Sequence, residues 1–290
     1  MAIAKIPLLT SYAYLRDYDD NHVGEMLSDP RTEILLDSGA FTAFNSGKEI
    51  LLSDYMDFVG RWGHKLFGYM ALDKLQDPVQ TDKNLEIMLK AGLTPIPIHV
   101  YGDSKERMDW LFEQSRWVAC GGLRRPHRGA APDEYVKVKM KWASGRDVHW
   151  LGYTDLSKIK AFKPYSCDCA SWTSGRTFGQ LHVYMGGGKF EQFTKPTWPK
   201  ATRQVKAAIA SLGVDPAILD IDESWKNVQY VHQVQRINAR SWIKYSMDIR
   251  QHITTRLFLA MLPDMQDIKA MWSAIEWAET KKLRAFEVTR

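Results

Sequence analysis

Short apolar runs alternate with amphipathic stretches along the first two thirds of the chain. Runs at 6–14, 33–36, 66–72, 94–100, 117–120, 148–151, 162–167 and 181–185 have the length of buried strands. Between them, residues 19–27, 53–62, 78–91, 105–115 and 132–143 carry apolar side chains at helical spacing. Asp29-Pro30 stops the first of these helices, Ser53 is the expected N-cap of the second, and Gly92 closes the third. Near-continuous apolar strands separated by helices predict a parallel sheet. Eight such units favour a closed barrel, and no Gly-x-Gly-x-x-Gly follows the first strand to argue for a dinucleotide fold.

The predicted class is therefore α/β: a (β/α)8 TIM-like barrel over 1–188, with a mainly helical C-terminal region over 189–290 that completes or flanks it. Residues 189–200 read as a loop, and helices are expected near 201–211, 223–238, 240–260 and 265–283. Gly186-Gly-Gly188 is either a phosphate-binding nest or a flexible linker. Asp220-Ile-Asp-Glu223 lacks the rest of a calcium loop and reads as a helix N-cap.

The polar residues are distributed unevenly on this pattern. Asp37, Asp73, His99, Tyr101, Gly121, Gly122, Gly152 and Asp168 all fall at the carboxyl ends of predicted strands. In a barrel those ends converge on one mouth, where active sites lie. Three separate strand-end carboxylates are better explained as one functional cluster than as three independent helix caps. Paired carboxylates suit chemistry at an anomeric carbon, where one attacks or stabilises the cationic centre and the other handles the proton. Close carboxylates also push each other's pKa values apart, which yields one acid and one base.

Charge and cysteine usage narrow the class. The net charge of +5 permits an anionic partner. The run Arg124-Arg-Pro-His-Arg128 follows Gly121-Gly122 directly, so Arg124, Arg125 and Arg128 are expected to touch phosphates at the mouth, with Arg176 as a further candidate. Of the three cysteines, Cys120, Cys167 and Cys169, the last two lie on one face of one strand and are poorly placed to bridge each other, which suggests a reducing compartment. No Cys-x2-Cys pair offers a structural zinc site, so no metal is expected. There is no signal-peptide pattern and no run of 18 apolar residues, so a soluble, cytoplasmic protein without a membrane partner is expected.

The motifs resemble a known family in order. Asp37-Ser-Gly-Ala-Phe41 is similar to the Asp-Ser-Gly-Gly-Phe signature of the guanine transglycosylases, which exchange guanine for a 7-deazaguanine. Met70-Ala-Leu-Asp73 resembles their Ala-Leu-Asp segment. Ile98-His-Val-Tyr-Gly102, Cys120-Gly-Gly-Leu123 and Trp150-Leu-Gly152 resemble the later strands, and Asp168-Cys with the polar run to Gly179 resembles the nucleophile loop. The resemblance implies that Asp168 attacks C1′ and forms a covalent intermediate, with Asp37 as general acid/base. It implies that Asp73 hydrogen-bonds the base, and that Ser38, Gly39, Phe41, Gly121, Gly122 and Gly152 surround it. Tyr101 or His99 would line the pocket where the family usually carries Gln.

Two departures refine the expectation. The zinc-binding cysteine insertion of the tRNA enzymes is absent, and Gly39-Ala40 replaces Gly-Gly. A compact, zinc-free chain looks like the bacteriophage branch that places 7-deazaguanine bases in DNA, inside a host cell's cytoplasm. DNA is the expected partner and a 7-deazaguanine base the small-molecule substrate, with tRNA as the alternative. A target base inside a duplex must be flipped out before C1′ can be reached. No cofactor is implied, because base exchange is near energy-neutral, and a homodimer is left open. Two other classes compete: a non-catalytic nucleic-acid-binding subunit on the same fold, and a barrel hydrolase acting on a small glycoside.

Overall fold

The computed structural model describes residues 5–123, 132–225, 232–261 and 265–281. Within them run the strands β1 (Ile6–Ser11), β2 (Thr32–Asp37), β3 (Gly68–Tyr69), β4 (Ile98–His99), β5 (Trp117–Cys120), β6 (Asp147–Trp150), β7 (Ser166–Cys169), β8 (Leu181–Gly186), β9 (Lys189–Phe193) and β10 (Arg256–Ala260). Eight of them form one curled parallel sheet in the order β3-β2-β1-β10-β7-β6-β5-β4, flanked by helices. The two ends of that order are themselves joined. Met70 bridges Ile96 in parallel, with Ala71 N–H on the Ile96 carbonyl and Ile96 N–H on the Tyr69 carbonyl, each at 2.8 Å. The fold is a TIM-like (β/α)8 arrangement, as the alternation predicts.

Every residue of β1, β5 and β7 is buried, the condition under which a parallel strand reads as a continuous apolar run. Register then sorts the side chains of the later strands. His149 of β6 pairs with Ser166 of β7, and Trp150 pairs with Cys167. Because side chains alternate across a strand, Ser166, Asp168 and His149 share one face, while Trp150 and Cys167 share the other. Trp150 meets the helical layer, its indole N–H resting on Met140 Sδ at 3.3 Å. Several of the described helices start on the side chains that their sequence offers. Asp19 accepts from the Asn21 and His22 N–H groups, Asp77 from Gln80, Ser104 from Arg107, and Asp155 from Lys158. Ser53 caps nothing: the helix Leu52–Trp62 has already begun, and its hydroxyl donates to Asp54 instead.

Two predicted elements are corrected. The run at 181–185 is not a strand of the large sheet; β8 pairs antiparallel with β9, and Gly186-Gly-Gly188 forms the connection of that hairpin. An apolar run of this length looks the same in a buried parallel strand and in a hairpin, and only the returning strand 189–193 distinguishes them. The eighth strand of the sheet is β10, inside the stretch expected to be helical at 240–260. The helix His232–Ile253 ends there because Thr254 adopts a left-handed conformation at φ 70°. Gly or Asn usually marks such a stop, so Thr gave no warning.

The chain divides into two compact units, Pro7–Asp168, and Met1–Ile6 with Cys169–Arg290. The first carries the three strand-end carboxylates. In the second, the hairpin's Phe190 stacks on Trp242 at 4.7 Å and meets Tyr184 and Tyr245 at 5.1 and 5.0 Å. Trp172 is fully buried there and donates its indole N–H to the Ala260 carbonyl at 2.7 Å. No helix among the described residues is long and apolar enough to cross a membrane.

Candidate active site

Asp37 is the last residue of β2, and a tight turn fixes it. The Gly39 N–H donates to Asp37 Oδ2 at 2.8 Å. Gly39 has φ +85°, and a Cβ there would stand 2.5 Å from Ala13 Cβ and 2.7 Å from the Ala13 backbone nitrogen. Only glycine satisfies both constraints. Between them, Ser38 is fully buried and donates its hydroxyl to Asp73 Oδ1 at 2.9 Å. One serine therefore ties the loop after β2 to the loop after β3. The Asp73 loop is secured from behind, by Tyr55 Oη on the Met70 carbonyl at 2.6 Å and Asn84 Nδ2 on the Leu72 carbonyl at 2.9 Å.

Asp168 stands on β7 itself and is about nine-tenths buried. Its Oδ1 accepts the Gly152 N–H at 2.9 Å and faces His149 Nε2 at 3.2 Å. Gly152 turns at φ +62°, which aims that N–H at the carboxylate. His149 is fully buried, and its Nδ1 lies 2.8 Å from Ser166 Oγ. Reasoning from sequence missed His149 and Ser166. The available signal was parity: Ser166 and Asp168 are two residues apart on one strand, and the only histidine on the preceding strand falls level with Ser166.

Asp37 feels the charges of the other two carboxyl groups. Burial, foremost, and then the nearby Asp73 charge push the Asp37 pKa up to about 7; the Gly39 N–H works against this, and the Asp168 charge adds to it. Burial likewise raises Asp73, opposed by the Ser38 hydroxyl. The cluster thus holds a carboxyl that exchanges its proton near neutral pH, electrostatically coupled to a carboxylate held by two donors on one oxygen. That is the equipment for proton transfer beside a nucleophile or a charge-stabilising group.

No protein-family model and no curated protein matches this chain.

The remaining expected site residues divide between open and enclosed positions. Phe41 is 67% exposed, in the short helix Ala40–Ser46 that follows Gly39. Tyr101 is partly exposed and packs its ring on Tyr135 at 4.9 Å. Gly122 lies so close beneath it that a Cβ would approach Tyr101 Cβ to 2.8 Å, whereas Gly121 has only ordinary contacts. The protein's own packing thus requires the glycine at 122. His99 is also corrected: it is fully buried and both ring nitrogens are engaged, Nε2 with the Ser104 carbonyl at 3.0 Å and Nδ1 with Lys139 Nζ at 2.7 Å. Burial, and then the Lys139 charge, bring its pKa down to about 3. His99 holds the loop after β4 rather than lining a pocket.

Arg176 reaches Asp267 Oδ2 at 3.3 Å, an ion pair within its own unit. Arg124, Arg125 and Arg128 lie outside the described residues. All three cysteines are buried, and burial pushes the Cys120 thiol up to about 12. No group of three or more His, Cys, Asp or Glu among the described residues is arranged to hold a metal ion.

Proposed function

We propose that this chain is a base-exchanging transglycosylase that replaces guanine in DNA with a 7-deazaguanine derivative through an intermediate linked to Asp168. The observation that carries the reading is the coupling of a fixed carboxylate, Asp168, to a carboxyl at Asp37 whose pKa lies near 7. In the first step Asp168 Oδ2 forms a bond to C1′ as the C1′–N9 bond breaks, and the electron pair leaves with guanine. Protonated Asp37 supplies the proton that guanine needs to depart as a neutral base. The incoming deazaguanine returns a proton to Asp37, attacks C1′ and releases the Asp168 carboxylate. No proton, electron or water is consumed overall. Asp73, joined to Asp37's loop by Ser38, receives the base's N–H edge, and exposed Phe41 offers a ring face beside it.

The test is exchange of radiolabelled guanine with duplex DNA, single-stranded DNA and tRNA in parallel, using wild type and Asp168→Ala. Exchange on DNA that disappears in the variant is the expected result. Activity on tRNA alone leaves the chemistry standing and overturns the choice of nucleic acid. Binding to nucleic acid without exchange on any of the three would make the chain a non-catalytic subunit.

A further inference from the structure

We propose that His149 is a positioning residue that turns Asp168 so that one named oxygen, Oδ2, is the attacking atom. This inference rests on the transglycosylase reading for its chemistry, and on geometry alone for the positioning. Both donors to Asp168, the Gly152 N–H at 2.9 Å and His149 Nε2 at 3.2 Å, converge on the same oxygen, Oδ1. Among the described residues Oδ2 has no hydrogen bond, and the side chain keeps 12% of its exposure. A carboxylate held at one oxygen by two donors has lost its freedom to turn about χ2, and its second oxygen projects in a single direction.

The histidine is itself constrained. A carboxylate oxygen can only accept, so Nε2 carries the hydrogen, and the ring's Nδ1 is held by the Ser166 hydroxyl at 2.8 Å. Ser166 and Asp168 alternate on β7, and His149 is in register with Ser166 on β6. The chain Ser166–His149–Asp168 therefore stands on two paired strands, where placement is more rigid than on a loop. The imidazole is fully buried, so water does not compete for its N–H. In the chemical step Oδ2 bonds to C1′ while Oδ1 becomes the carbonyl oxygen of the ester, still accepting from His149. In the return step the electron pair of the C1′–Oδ2 bond goes back to the carboxylate, which the same N–H stabilises as it departs.

Substitutions that differ in reach test this. Gln places an amide nitrogen near the position of Nε2 and keeps the donor to Asp168, whereas Asn reaches only the Nδ1 position and serves Ser166 alone. His149→Gln is expected to keep kcat within about fivefold of wild type, and His149→Asn to lose about 10- to 100-fold in kcat with KM for DNA unchanged. With an active wild type, equal activity of the two variants overturns the inference, whichever level they share. Crystal structures supply a readout that does not depend on exchange: Asp168 is expected in one rotamer in His149→Gln and in several, or a different one, in His149→Asn. An unmoved Asp168 in the Asn variant overturns the positioning role even where no exchange is found. A wild-type protein without exchange would sink the transglycosylase reading while leaving the rotamer comparison decisive for His149.

Discussion

Replacing Asp37 with Asn should change how stability depends on pH, and the size of the change follows from the site. The carboxyl goes from its ordinary 3.8 to about 7 in the folded chain, a shift of 7 − 3.8 = 3.2. Each pKa unit corresponds to about 1.4 kcal/mol. The direction is fixed by linkage. Below pH 3.8 the group is protonated in both states and contributes nothing against folding. Between 3.8 and 7 the unfolded chain ionises while the folded chain keeps its proton, so the wild type loses stability as pH rises through this window. Above 7 both states are ionised, and the folded chain carries the full cost of a buried charge beside Asp73. Asn has the same shape, accepts the Gly39 N–H and has no such cost.

The stability of Asp37→Asn relative to wild type should therefore improve between pH 4.5 and pH 8.5. Of the window, about 2.5 units lie above pH 4.5, which sets an upper bound of about 3 kcal/mol. Burial raises Asp73 as well, and a protonated Asp73 does not repel Asp37, which brings the expected gain to about 1–3 kcal/mol. In thermal melts of a chain this long, that is about 2–9 °C of relative midpoint shift. The measurement is the midpoint difference between variant and wild type at the two pH values in one buffer series. A difference that stays constant within about 1 °C, or moves against the variant at high pH, refutes the account of Asp37 as a buried, repelled carboxyl.

Two backbone predictions accompany it. Gly39→Ala forces a side chain into a left-handed residue and onto Ala13, 2.5 Å from its Cβ and 2.7 Å from its backbone nitrogen, so the urea midpoint should report a loss of about 2–4 kcal/mol. A loss below about 1 kcal/mol would mean that the turn can open, and that the Asp37 anchor is not rigid. Thr254→Gly relieves the left-handed strain at φ 70° between the long helix and β10; the same measurement should show a gain of about 0.5–1 kcal/mol, and a loss would contradict the strain argument.

Thr254 also explains where the sequence misleads about the fold. Helix ends are read from residues that tolerate positive φ, and a β-branched residue in that state breaks the rule in the structure before it can be read in the sequence. The first seven strands were located by their apolar runs, although the seventh begins only at Ser166 and carries Asp168 within it, because Leu156–Phe162 is helical. The eighth was not, because two runs competed for its place. Leu181–Gly186 has the better strand composition locally, yet it is satisfied by the hairpin with Lys189–Phe193. Arg256–Ala260 joins the sheet through partners distant in sequence, information that no local window contains.

The carboxylates were legible for a physical reason that also sets the limit of such reading. Each sits where a buried apolar run stops, and an ionisable group at that boundary stands out against the composition around it. What holds each one is less visible. Gly39 and Gly152 act through backbone N–H groups that every residue except proline possesses, and are distinguished only by their φ values of +85° and +62°. His149 acts from the middle of a strand, where a histidine between Val148 and Trp150 reads as a packed core residue. The inner face of a parallel strand pair can therefore carry a polar relay inside an otherwise apolar run, visible only once register is known. In this chain the pairing of His149 with Ser166 turns two unremarkable strand residues into the support of a carboxylate.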